Sequence, residues 1–188
     1  MKRRVKTSAT DPLQIAELPI GAGVIGLTLC PGKRGASLSG SWWERDLALD
    51  VAAIAAWGAR AVVTLIETQE FTGLGVEALP EAVRSAGIAW HHLPIEDVSV
   101  PDQRFEQHWR TVWPRLHGRL NDGERVLVHC RGGLGRAGTV AALMLIESGE
   151  SPERAIARVR AVRPGAIETA EQETWVRRRA PMTKGSAG

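Results

Sequence analysis

Cysteine is scarce in this chain. Cys30 and Cys130 are the only two among 188 residues, too few for the disulfide framework that staples small secreted proteins, and the count fits a reducing compartment. Long apolar runs are missing as well. None reaches the roughly 20 residues that cross a bilayer, and the basic start, Lys2-Arg3-Arg4 with Lys6, leads into no apolar signal-peptide core, so a soluble, cytoplasmic protein is expected, with no membrane partner. The formal charge is only +3. Basic residues such as Arg177-Arg178-Arg179 come without groove-reading or aromatic elements, which argues against a nucleic-acid partner. His91 and His92 alternate faces of a strand with no carboxylate or cysteine at ligand spacing, so no metal and no cofactor are expected. Tyrosine is absent altogether.

What the sequence does contain is His129-Cys130-Arg131-Gly132-Gly133-Leu134-Gly135-Arg136-Ala137-Gly138-Thr139. It follows an apolar strand, Arg125–Val128, and runs into an apolar helix from Thr139. In a strand-loop-helix turn, consecutive backbone N–H groups point inward and the helix end adds positive potential, which suits a dianionic phosphate. Glycines at 132, 133 and 135 let the backbone wrap closely around it. Cys130 opens the loop where this field favours thiolate, the nucleophilic form. Arg136 closes it with a planar fork able to grip two equatorial phosphoryl oxygens. Arg131, inside the loop, is placed to meet an acidic substrate or to lie in solvent.

The length suits one domain. A basic tail is expected over 1–12, a single domain over 13–180 and a second tail over 181–188. Gly21-Ala22-Gly23-Val24-Ile25-Gly26 matches the dinucleotide fingerprint in letters alone, because a strand and a turn follow it where a helix is required. Ser41-Trp42-Trp43-Glu44 has capping-box spacing and predicts a helix that runs to Gly58. A strand over 61–66, a helix over 80–86, a strand over 88–93 and a helix over 102–120, kinked or interrupted at Pro114, follow. Helices from Thr139, from Ser151-Pro152 and from Thr169 complete the chain. Strands alternating with helices give an α/β fold, a mainly parallel central sheet flanked by helices on both faces, with the loop at the carboxyl end of a central strand.

At Cys130 and Arg136 the chain resembles the Cys-(x)5-Arg protein phosphatases. With His91-His92-Leu93-Pro94-Ile95-Glu96-Asp97 upstream and Gly165-Ala166-Ile167-Glu168-Thr169-Ala170-Glu171-Gln172 downstream, it is similar to the kinase-associated branch of the dual-specificity phosphatases over about 18–176. The resemblance implies a protein phosphatase working through a phosphocysteine. Cys130 would be nucleophile, Arg136 and the loop residues 131–135 would bind phosphate, and Asp97 would be general acid. Glu96 would face solvent and Asp102 would cap the next helix. His129 would be buried, orienting the loop and helping to keep the thiol ionised. The partner would be a phosphorylated protein, and no kinase partner is carried over. Without tyrosine the chain lacks the ring that stacks on phosphotyrosine in larger relatives, so a shallower site accepting phosphotyrosine and phosphoserine or phosphothreonine is expected. The lysines that phosphoinositide phosphatases carry in this loop are missing.

Two positions depart from the family pattern. Glu168 stands where the first glutamine of Ile-Gln-Thr-x-x-Gln positions the attacking water, while Gln172 matches the second glutamine and is equally explained as a helix cap. Ala137 stands where a hydroxyl residue helps the thiolate leave, which predicts slow hydrolysis of the phosphocysteine. These departures keep a phosphate-recognising pseudophosphatase as one alternative. A rhodanese-like sulfurtransferase is the other, disfavoured by Arg136 together with Asp97.

Overall fold

A computed structural model describes residues 4–37 and 40–180. In chain order its elements are β1 (Val5–Lys6), β2 (Ala16–Ile20), β3 (Gly23–Thr28), β4 (Arg34–Ala36), β5 (Trp42–Glu44), α1 (Leu47–Trp57), β6 (Ala59–Thr64), α2 (Thr68–Leu74), α3 (Leu79–Ser85), β7 (Ala89–His92), α4 (Gln103–Asn121), β8 (Arg125–His129), α5 (Gly135–Glu147), α6 (Pro152–Val162) and α7 (Ala170–Arg177). The main sheet has the order β2-β3-β8-β6-β7 and is parallel except for β2, which runs antiparallel at one edge.

Strand β8 is central and apolar on both faces, as a strand covered on both sides must be. Val126 and Val128 join a core with α4, α5, α6 and α7, while Leu127 joins one with α1, α2 and α3. Helix α5 lies inside the first of these layers, with every residue from Gly135 to Ile146 buried. That explains a segment apolar nearly all round. The loop between β8 and α5 is therefore held at both ends by buried elements.

Three expectations are corrected. Ser41–Glu44 starts no helix. Trp42 and Trp43, residues that favour a pleated surface, pair with β1 and β4 in a second, three-stranded sheet, and α1 is capped by Asp46, whose carboxylate accepts from Leu49 N at 2.9 Å. The basic tail assigned to 1–12 is structured from residue 4, since Val5–Lys6 is β1, Arg4 pairs with Asp11 at 3.2 Å and the Asp11 carbonyl accepts from Arg45 at 2.8 Å. Residues 1–3 and the tail assigned to 181–188 lie outside the described residues. Pro114 does not interrupt α4, which runs through it from Gln103 to Asn121. Pro114 and Arg110 both face solvent, so the carbonyl that proline leaves without an amide reaches water, while the buried stack of Phe105, Trp109 and Trp113 at 5.5 and 5.3 Å between rings anchors the opposite face. In β3, Gly23 pairs with β2 and Gly26 with both β2 and β8, and no helix follows. No helix among the described residues is long and apolar enough to cross a membrane.

Candidate active site

The loop after β8 closes around one sulfur atom. Cys130 is 3% exposed, and its Sγ accepts from the Gly133 amide at 3.2 Å. Gly133 has φ of 71°, and a Cβ there would lie 2.3 Å from the Thr28 carbonyl oxygen. Only glycine allows that close approach in the left-handed region. The carbonyls of the loop point outward and each has a cationic or amide donor. Arg131 O accepts from Cys30 N at 3.2 Å and Lys33 Nζ at 3.1 Å, Gly132 O from Arg163 Nη2 at 3.2 Å, and Gly133 O from Arg163 Nε at 3.1 Å.

Arg136 enters from the first turn of α5, buried at 2% exposure. Its fork is bidentate on Glu70, with Nη1 to Oε2 at 2.6 Å and Nη2 to Oε1 at 3.0 Å. Nη1 also donates to Ile95 O at 3.0 Å, and Nη2 meets Asp97 Oδ1 at 2.8 Å. Burial alone would raise the Glu70 carboxyl, yet the hydrogen bonds from Arg136 and the Glu67 amide hold it below its usual range. Glu70 was missed in the sequence. Its only local signal is Glu67-Thr68-Gln69-Glu70 just after a strand, where the Glu67 amide donates to Glu70 at 2.7 Å. Glutamate is an uncommon N-cap, so the helix that carries Glu70 leaves a weak trace.

His129 is fully buried. Its Nδ1 lies 3.2 Å from Cys130 O, which can only accept, so that nitrogen carries the proton. Nε2 then accepts from the Thr64 hydroxyl at 2.8 Å, and Thr64 in turn accepts from Trp90 Nε1 at 2.9 Å. Burial pushes the imidazole down to about 4. Both ring nitrogens are thus committed, and at neutral pH the uncharged ring brings no positive charge to the thiol.

Asp97 lies on the loop after β7 with its side chain 45% exposed. Glu96 is exposed, and Asp102 caps α4, accepting from Phe105 N at 2.8 Å. Glu168 is exposed at the rim. Gln172 is fully buried; its Oε1 accepts from Glu168 N at 2.9 Å and Thr169 N at 3.2 Å, and its Nε2 donates to Ser99 O at 3.1 Å. It caps α7 and ties that turn to the segment following Asp97. Both residues crowd the loop, because a Cβ on Gly135 would meet Glu168 Oε2 at 2.9 Å and the Gln172 amide at 3.0 Å. Arg131 is exposed at the rim. Thr139 donates to Gly135 O at 2.8 Å, so its hydroxyl is committed within α5 and cannot serve in place of one at Ala137. Cys30 is buried in the neighbouring wall, and burial pushes its thiol far up.

A cavity of about 630 Å³ opens over Cys130 and is lined by Asp97, Arg136, Glu168 and Gln172, with Trp43 of β5 and Leu29 on its far wall. No cluster of histidine, cysteine or carboxylate among the described residues could hold a metal ion. His92 is committed to Ile66 O at 2.8 Å.

A buried cysteine under inward amides, an arginine fork six residues later and a carboxylate from a separate loop, all at the carboxyl end of a parallel strand, define a cysteine-based phosphatase of the dual-specificity class. Comparisons with known proteins place it further. Residues 44–176 match the sequence model of PTP-SAK, the Swiss Army Knife protein, DSP-PTPase phosphatase domain, and the chain belongs to that family. It is 30% identical over 171 residues to cyclin-dependent kinase inhibitor 3 of Mus musculus, covering 88% of this chain and 77% of the relative. Over 100 residues it is 38% identical to protein tyrosine phosphatase type IVA 3 of Mus musculus, covering 52% and 56%. Among solved structures it is similar to kinase-associated phosphatase with its catalytic-site cysteine changed to serine (TM-score 0.76, 27% identity, 88% and 92% covered), and to Tk-PTP in the active form (TM-score 0.65, 27% identity, 87% and 97% covered).

Proposed function

We propose that this phosphatase hydrolyses phosphomonoesters on proteins, with Cys130 as nucleophile, Arg136 and the amides of 131–135 as phosphate ligands, and Asp97 as acid and then base. The observation that carries this reading is the Arg136 fork, buried, fixed by Glu70 and aimed so that Nη2 lies 2.8 Å from Asp97. The Asp97 carboxylate meets the fork at Nη2. A substrate phosphoryl group takes that place and releases Asp97, on its exposed loop, to face the leaving oxygen.

In the first step the Cys130 thiolate forms an S–P bond as the ester P–O bond breaks, and protonated Asp97 gives its proton to the departing alkoxide or phenolate. Charge on the equatorial oxygens is met by the loop N–H groups and Arg136, donors already in position. In the second step water attacks phosphorus, its proton passes to Asp97, and the S–P bond breaks to return the thiolate. Glu168 lies at the rim where this water would enter. Gln172 supports the turn that carries Glu168 and the segment that follows Asp97, a positioning role.

Substrates are phosphotyrosine and phosphoserine or phosphothreonine proteins. The wall of Leu29, Trp43, Val98 and Leu134 supports an aromatic or aliphatic leaving group. The test is hydrolysis of p-nitrophenyl phosphate in the presence of chelator. Turnover abolished in Cys130→Ser and slowed by roughly 100-fold or more in Asp97→Asn is expected. Full activity in Cys130→Ser would overturn the assignment, and an inactive wild type whose Cys130 is nevertheless protected from alkylation by phosphate would make the protein a binding module.

A further inference from the structure

Two cations that the proposed reaction does not use, Lys33 buried and Arg163 half-buried, grip the phosphate loop from behind. Lys33, on the turn after β3, is 8% exposed and gives its ammonium to Arg131 O, with the Trp43 ring 4.7 Å away on another side. Arg163, just past α6, spans two carbonyls, Gly132 O and Gly133 O. Neither has a carboxylate partner among the described residues, whereas Arg45, Arg136, Arg158 and Arg160 each do. Burial without an ion pair costs free energy, and for Lys33 it pulls the amine down to about 8. A cation kept under those terms has some other use.

That use follows from the geometry of the loop. An anion cradle requires successive N–H groups to point inward, so the carbonyls on the same peptide planes must point outward. If one peptide flips, a carbonyl dipole faces the phosphate in place of a donor. Three consecutive peptides, those with carbonyls on 131, 132 and 133, are each held outward by Lys33 or Arg163. Lys33 is itself fixed. Its amide donates to Cys30 O at 3.4 Å and its carbonyl accepts from Arg45 N at 3.2 Å. Gly32 N donates to Asp50, which forms a buried bidentate pair with Arg45 at 2.7 and 2.9 Å. The sequence shows no lysine in the loop, but the fold brings one to it from about a hundred residues away.

We propose that Lys33 and Arg163 are positioning residues that clamp the phosphate loop in its anion-receiving form. The inference rests on the loop being the phosphate site. Lys33 lies outside the 44–176 span of the family match.

The test measures kcat/KM, competitive inhibition by inorganic phosphate, and amide hydrogen exchange over 131–135 for Lys33→Met, Lys33→Arg and Arg163→Lys. Lys33→Met is expected to lose roughly 10- to 100-fold in kcat/KM, to weaken phosphate inhibition and to speed exchange of the loop amides. Lys33→Arg, which keeps a donor, recovers most of each. Arg163→Lys can hold only one of two carbonyls and falls between, and it carries the same test if Lys33→Met does not fold. Activity and phosphate inhibition within twofold of wild type in both Lys33→Met and Arg163→Lys would overturn the clamp, as would lost activity with unchanged loop exchange. An inactive wild type sinks the phosphatase assignment alone, because faster loop exchange and weaker phosphate protection in the variants still decide the clamp.

Discussion

Acid should weaken this protein through His129, and the size of the effect follows from its contacts. The ring is neutral, with Nδ1–H on Cys130 O and Nε2 accepting from Thr64. Adding a proton to Nε2 turns that acceptor into a donor facing a hydroxyl that already accepts from Trp90, so the Thr64 proton loses its only partner among these groups. In the unfolded chain the same imidazole titrates at its ordinary 6.5, against about 4 in the fold. Between those values the unfolded state binds a proton that the folded state refuses, so stability is complete above pH 6.5 and is lost as pH falls towards 4. The loss is about 2 kcal/mol by pH 5 and about 3 kcal/mol by pH 4, a large part of a typical domain's 5–15 kcal/mol. Urea unfolding followed by tryptophan fluorescence at a series of pH values, for wild type and His129→Gln, isolates the effect. Glu70, whose carboxyl is held low, and Glu147, whose carboxyl burial raises, titrate in both proteins and cancel in the difference. The variant should be weaker at pH 7 and lose less on acidification. Parallel curves between pH 6.5 and 4 would refute the reasoning.

Three further outcomes are expected. Glu70→Gln removes the bidentate partner of a guanidinium 2% exposed; since Ile95 O still holds Nη1 and Asp97 still holds Nη2, the stability loss is about 2 kcal/mol, and kcat/KM on p-nitrophenyl phosphate falls more than about tenfold. A variant matching wild type in urea midpoint and activity would show that the fork is positioned by something else. Gly133→Ala puts a Cβ 2.3 Å from Thr28 O at φ of 71° and should cost more than about 3 kcal/mol and abolish phosphate protection of Cys130; thermal unfolding and alkylation read both. Ala137→Ser returns a hydroxyl beside Arg136, so stopped-flow product release should change from an initial burst with slow turnover to a faster, burst-free rate. A wild type without a burst would show that phosphocysteine hydrolysis is not the slow step.

The fold was legible where one segment sufficed to specify an element. Strand β8, the all-apolar α5, the Ser151-Pro152 start of α6 and the capping box of α7 each carry their signal within a dozen residues, and together they place the loop at the carboxyl end of a central strand. Elements whose state depends on a distant partner were misread. Ser41–Glu44 has the letters of a helix start, but Trp42 and Trp43 are strand because β1 and β4 lie on either side. Val5–Lys6 reads as tail until β5 gives its backbone a partner. Pro114 reads as a break until its solvent-facing side is known.

The candidate site divides along the same line. Cys130, Arg136 and the glycines between them belong to one continuous motif, so the sequence shows them together, and Asp97 comes from a second motif of its own. The groups that hold that loop in shape come one at a time from elsewhere: Thr64 from the end of β6, Glu70 from α2, Lys33 from the turn after β3 and Arg163 from beyond α6. None has a strong local pattern, because each is selected by one or two hydrogen bonds to the loop or the residues at its ends and not by its neighbours in the chain. A lysine ranked by sequence alone is a surface charge. The same lysine at 8% exposure, 3.1 Å from a loop carbonyl, has been desolvated for a contact that only the folded chain makes. The chemistry can therefore be read from a motif, while its rate depends on residues that three-dimensional packing alone brings to it.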